Sequence, residues 1–171
     1  MSKILIREIR KEDDPVIEKI IRDCLIEYGA DHEGTAWADP DLCRFSEIYG
    51  KEDSRYWVAE TEGKVVAGVG IGALEGEVCE LQKMYCRKEY RQQGISGKLL
   101  DTALCFARQH YAACYLETLP NMKEAQRFYE VHGFRRTEKV YGNTGHMACD
   151  VRYLLSFRKE GKDDTILPEK Q

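Results

Sequence analysis

Cys79-Glu80-Leu81-Gln82-Lys83-Met84-Tyr85-Cys86, then a polar turn, then Arg91-Gln92-Gln93-Gly94-Ile95-Ser96-Gly97-Lys98-Leu99-Leu100, is the stretch on which the fold turns. A strand runs into a glycine-bearing turn, and the turn becomes the first turn of an amphipathic helix. The first amides of a helix have no internal partner and sit at the positive end of its dipole, an arrangement that binds phosphate. Gly94 and Gly97 let the backbone approach an anion with no side chain in the way. Arg91 and Lys98 add positive charge beside it. The stretch reads as a pyrophosphate cradle.

Working outward, Ile4 to Ile9 reads as an opening strand, and Asp13-Asp14-Pro15 as a helix start. Val16, Ile17, Ile20, Ile21, Cys24, Leu25 and Tyr28 recur at helical spacing, and Gly29 ends that helix. An acidic loop from Ala30 to Asp39 precedes a short second helix expected over Pro40 to Tyr49. Tyr56 to Glu60 and Lys64 to Ala73 form strands joined at Glu62-Gly63. Gly68, Gly70 and Gly72 share one face of the second, leaving room for a closely packed helix or marking a bulge. Glu77 to Cys86 is the next strand. Ile95, Leu99, Ala103 and Phe106 make the apolar stripe of the helix after the cradle. Cys114 to Thr118 is a strand, and Met122 to His132 a helix stopped by Gly133. Phe134 to Tyr141 and His146 to Phe157 are expected to close the sheet as an antiparallel pair. The reading is an α/β fold, a mixed and mostly antiparallel sheet of about seven strands flanked by four helices. One domain over residues 1–158 is expected, followed by a charged tail over 159–171 that frays.

The chain has 171 residues, enough for a real core. Its net charge of −4, with no basic cluster, argues against nucleic-acid binding. No signal-type segment or membrane-spanning run is apparent, so a cytoplasmic protein with no membrane partner is expected. Seven cysteines are scattered without a CxxC pair, which suggests neither a zinc site nor a redox dithiol. A Walker-type phosphate loop is excluded, because Gly97-Lys98 is followed by Leu99 rather than Ser or Thr.

The element order with this cradle resembles the GCN5-related N-acetyltransferase (GNAT) family. The family's phosphate turn is Gln or Arg, two residues, Gly, one residue, then Gly or Ala; Arg91-Gln92-Gln93-Gly94-Ile95-Ser96 matches it except at Ser96. A second block, Asn121 to Phe134, looks like the family's Asn, Ala, Tyr and Gly-Phe signature. The resemblance implies use of acetyl-CoA as co-substrate and acetyl transfer to an amine. It places the pantetheine arm along Met84, Tyr85 and Cys86, the pyrophosphate on the amides from Gln92 to Lys98, and Asn121 near the pantetheine region. It also puts Tyr129 near the sulfur.

Amine acetylation needs a neutral nucleophile, a stabilised thioester oxygen and a protonated leaving thiolate. Tyr129 is the candidate acid, and the plainer alternative is a core tyrosine at helical spacing from Ala125. Glu80 is the candidate base, because a glutamate between Cys79 and Leu81 is unusual unless it faces a cavity or partner; a solvent-facing carboxylate is the alternative. Glu117 is a candidate for holding the acceptor amine, or else a paired structural charge. His146, at an expected strand start, and Cys149 are weaker candidates for base and nucleophile.

In the family the acceptor enters between the first two helices and the late strands. Here that region carries Tyr28, Asp31, His32, Glu33, Trp37, Asp39 and Asp41, groups that suit a small cationic amine. A protein N-terminus or lysine is the other acceptor class. A non-catalytic acyl-CoA-binding or regulatory module is the rival function, and the presence of both Glu80 and Tyr129 favours the enzyme. The closing strands offer an edge for a homodimer.

Overall fold

The computed structural model describes residues 2–157. The tail expected from residue 159 lies outside them. Among the described residues, strands β1 (Ile4–Glu8), β2 (Arg55–Thr61), β3 (Lys64–Glu75), β4 (Val78–Cys86), β5 (Ala113–Thr118), β6 (Arg135–Arg136) and β7 (Val151–Ser156) form one sheet. Its order is β1-β2-β3-β4-β5-β7-β6. Every pairing is antiparallel except β4 with β5. That parallel step needs a crossover, supplied by helix α3 (Ile95–His110). Helices α1 (Asp14–Glu27), α2 (Phe45–Ile48) and α4 (Lys123–Val131) complete the fold.

Both faces of the sheet are covered, and β2 shows how. Its residues alternate, as strand geometry requires: Tyr56 and Val58 join the core under α1 and α2, while Trp57 and Ala59 join the core under α3. Ile17, Ile20, Ile21, Cys24 and Leu25 form the buried stripe of α1. On α3 the stripe is Ile95, Leu99, Leu100, Ala103, Leu104 and Ala107, and Phe106 packs at its edge against Trp57.

The β3 glycines receive aromatic rings as well as the helix. A Cβ at Gly68 would lie 2.6 Å from the Tyr56 ring and 3.0 Å from Ile17 of α1; one at Gly70 would lie 2.9 Å from Tyr49. Opposite them the register slips between Gly68 and Gly70. The extra β4 residue is Lys83, at φ 49°, and the Tyr56 hydroxyl donates to its carbonyl at 2.8 Å.

Three element boundaries differ from expectation. The helix expected over Pro40 to Tyr49 is reduced to Phe45–Ile48, because tight turns such as Arg44 N–H to the Asp41 carbonyl occupy its first half. The strand expected over Phe134 to Tyr141 is only Arg135–Arg136, and the one expected from His146 begins at Val151. Gly142 and Gly145, at φ 60° and 73°, interrupt the ladder. Side chains and neighbouring loops hold the segment instead: the Gly142 amide donates to Glu75 at 2.9 Å, and the Ala148 amide to the Gly34 carbonyl at 3.0 Å. No helix among the described residues is long and apolar enough to cross a membrane.

Candidate active site

The parallel pairing of β4 with β5 covers only Val78–Glu80 against Ala113–Tyr115. Beyond Glu80 the two strands part, and a cleft of about 660 Å³ opens between them. Its walls include β4 from Glu80 to Cys86, the turn into α3, β5 from Leu116 to Thr118, and α4 through Ala125, Phe128 and Tyr129. A strand edge without a strand partner offers amides and carbonyls to an extended ligand. Met84, Tyr85 and Cys86 stand on that edge.

The cradle forms the mouth of this cleft. Gly94 caps α3 in the left-handed region at φ 80°, a conformation that disfavours any side chain. The Lys98 amide makes the helix-type bond back to Gly94, at 3.2 Å. Amides before it point out of the helix end. Gln92, Gly94, Ile95, Ser96 and Gly97 line the cleft.

Arg91 lines the cleft as well, and several side chains predicted for the cofactor also bond elsewhere in the fold. The Arg91 guanidinium bonds both oxygens of Glu27 on α1, at 2.9 and 2.8 Å, and the Cys86 carbonyl at 3.0 Å. Its charge is matched by Glu27, and it ties the turn to α1 and to the end of β4. Gln93 bonds the Glu89 carbonyl at 3.2 Å, and the Lys98 side chain is exposed; neither is on the cleft wall. Asn121 is also off the wall, because its amide donates to the Tyr28 carbonyl at 3.0 Å and so fastens the β5–α4 loop to the end of α1. Tyr28 itself lines the cleft, and burial raises its phenol pKa.

Glu80 sits where the strands part. It is 6% exposed, and its Oε2 has no hydrogen-bond partner among the described residues. Burial pushes its pKa up to about 7, against the pull of Lys83 and His146 and with a further push from Glu117. A carboxylate of that pKa exchanges protons near neutrality. Tyr129 lines the same cleft from α4. Burial drives its pKa well above the ordinary phenol value, so it holds its proton. The Gly-Phe signature explains its placement. Gly133, at φ 91°, turns the chain so that the Phe134 amide bonds the Tyr129 carbonyl at 3.0 Å. The Phe134 ring then packs on Tyr129 at 5.7 Å.

Glu117 lines the cleft already engaged: Tyr115 donates to it at 2.9 Å, Thr144 bonds its other oxygen, and Arg152 lies 3.6 Å away. Cys149 also lines the cleft, but burial lifts its thiol pKa to about 11, which keeps it a thiol and a poor nucleophile at neutral pH.

A second cavity of about 350 Å³ adjoins the first and shares Glu80, Gln82, Lys83 and His146 with it. Asp39, from the loop after α1, bonds Lys83 Nζ and lies 3.1 Å from His146 Nε2. His146 is thus a loop residue of this cavity rather than a strand start. Tyr49, whose hydroxyl donates to Gln82 at 2.6 Å, closes another side. Lys83, Gln82 and Tyr49 were not singled out from the sequence. The available signal was Lys83 itself, a charged residue inside a strand that is otherwise largely core.

An acetyltransferase (GNAT) domain model matches residues 52–136, from β2 through β6. The uncharacterized N-acetyltransferase YjgM of Escherichia coli (strain K12) is 40% identical over 155 residues, covering 88% of this chain and 93% of that protein. Among solved structures, a GNAT-family acetyltransferase from Staphylococcus aureus superposes with a TM-score of 0.80 at 23% identity, over 91% of this chain and 100% of that one. The PaiA N-acetyltransferase from Thermoplasma acidophilum, solved in complex with coenzyme A, does so with a TM-score of 0.66 at 16% identity, over 91% and 99%. The parted strands, the helix-end cradle and the relative matched along nearly its whole length converge: this chain is an N-acetyltransferase and belongs to the GNAT family.

Proposed function

We propose that the chain moves an acetyl group from acetyl-CoA to the primary amine of a small metabolite, cationic at neutral pH through that amine, by direct attack with both substrates bound. The observation that carries this reading is Glu80, a buried carboxyl of pKa about 7 at the point where β4 and β5 part. It stands on the wall common to both cavities, between the cleft that suits the cofactor and the polar chamber that suits the acceptor. When bound, acetyl-CoA supplies an activated acetyl thioester.

The cradle fits the cofactor's pyrophosphate. Its outward amides and bare glycine Cα atoms form an anion site that adds no side-chain bulk. Met84 to Cys86 orient the pantetheine arm by strand-like bonds. Glu80 takes a proton from the acceptor ammonium, whose ordinary pKa of ~10.4 would otherwise keep it unreactive. As the adduct collapses, Tyr129 would pass its phenolic proton to the departing sulfur and regain one from the adduct nitrogen, leaving a neutral amide, a CoA thiol and a neutral phenol. The raised Cys149 thiol pKa supports direct attack over an acyl-enzyme route.

The test is mass spectrometry of free CoA and acetylated product after incubation with acetyl-CoA and a panel of amino acids, polyamines, amino sugars and peptides. Product above the no-enzyme control, lost in Glu80→Gln, is expected. Cofactor binding with no product from any amine would overturn the reading.

A further inference from the structure

The second cavity holds a buried cation that the transfer chemistry leaves unexplained. The Lys83 side chain is 11% exposed. It reaches the cavity because the β4 bulge gives Lys83 a left-handed backbone, φ 49°, a region that disfavours side-chain-bearing residues. Strain of that kind gathers at functional positions. Beside it, His146 Nε2 lies 3.4 Å from Lys83 Nζ and 3.1 Å from each Asp39 oxygen. Two nitrogens therefore converge on one carboxylate in a small polar chamber that opens on Glu80.

We propose that the acceptor is a free amino acid whose carboxylate is bound by Lys83, with Asp39 held in place beside it by His146, while its amine faces Glu80. This deepens the acetyl-transfer reading and rests on it. An ammonium has three N–H donors, so Lys83 can hold Asp39 and a second carboxylate together. Asp39 balances Lys83, and an amino acid brings its ammonium and its carboxylate together, so its arrival leaves the net charge of the chamber unchanged.

A polyamine fits worse, because its second ammonium would lie against Lys83 with the nearby acids already engaged. Asp41 is bonded to Arg44 at 2.7 Å, and Glu117 to Tyr115 and Thr144. A peptide N-terminus has no carboxylate next to its amine to offer. The cavity volume of about 350 Å³ suits a molecule of amino-acid size.

The test compares kcat/KM for free amino acids with that for the carboxamides of the same side chains, using the full chain at pH 8.5. Calorimetric binding of both acceptors, with CoA present, accompanies it. Wild type should prefer the acid at least tenfold. Lys83→Met should cut that preference about tenfold, chiefly through KM. Asp39→Asn, which removes the competing carboxylate, should raise it; a folding defect would not move the variants in opposite directions. Equal use of acids and carboxamides, or a preference unchanged by Lys83→Met, overturns the carboxylate assignment and leaves acetyl transfer standing. Lys83-dependent amino-acid binding without acetylation of any amine keeps the subsite and sinks the transfer reading. Neither binding nor acetylation sinks both.

Discussion

The two halves of the active cleft are built from different materials. The half proposed for the cofactor is backbone: the free edge of β4, the left-handed Gly94 and the first amides of α3. The half proposed for the acceptor is side chains carried by three separate segments: Asp39 after α1, Lys83 on the β4 bulge, and His146 between β6 and β7. Backbone geometry binds one ligand chemistry and is insensitive to most side-chain changes. Side-chain charges on separate segments can be exchanged one at a time. Glu80 stands at the seam, on the wall of both cavities.

Substitutions at the seam should have the largest effect. Glu80→Gln is expected to lower kcat/KM roughly 10²–10⁴-fold, the usual weight of a positioned base, with CoA affinity unchanged by calorimetry. In wild type the base is active when ionised, so kcat/KM should climb as pH rises through about 7 and level off above it. A profile flat from pH 6 to 8 would remove Glu80 as the base. Tyr129→Phe should cost about 10²-fold in kcat while still binding cofactor. Wild-type turnover by that variant would show that the phenol serves packing only.

Stability should move the other way. The folded pKa of Glu80 is raised from an ordinary 4.5 to about 7. The folded state therefore binds the extra proton between those values, and stability falls as pH rises through that window. Glu80→Gln should accordingly unfold about 1–3 kcal/mol later than wild type at pH 8, with the gap closing below pH 5. Urea melts at both pH values check this; no gap at pH 8 would mean that the ionised carboxylate is solvated in the cleft.

The smallest expected effect lies in the cofactor half. Gly94→Val forces a side chain into φ 80°, at a cost of about 1–2 kcal/mol. CoA binding should weaken roughly tenfold, with the acceptor KM little changed. If both constants shifted together, the halves would be less independent than their construction suggests.

The same division explains what could be read from the sequence. The succession of elements along the chain, the helix stripes and the cradle follow from local rules of period, glycine and helix ends, and residues such as Gly94, Gly133 and Leu99 announced their places. The acceptor half depends on contacts between residues far apart in the chain: Asp39 and His146 are separated by 107 positions. Nothing in the Gly142–Gly145 stretch signalled that its bonds would go to Glu75 and Glu117 rather than to a ladder. Arg91 and Asn121 were legible as members of a motif, but not as clamps on Glu27 and Tyr28, because those partners lie on α1.

The parting of β4 from β5 also bears on the lifetime of the protein in a cell. The sheet is stapled there by only the first residues of the parallel pair, so a ligand lying along the open edge becomes part of the molecule's own architecture. Occupancy at a hundredfold excess over Kd would add about 2.7 kcal/mol to folding. The folded fraction of the enzyme would then rise with the supply of its acyl donor.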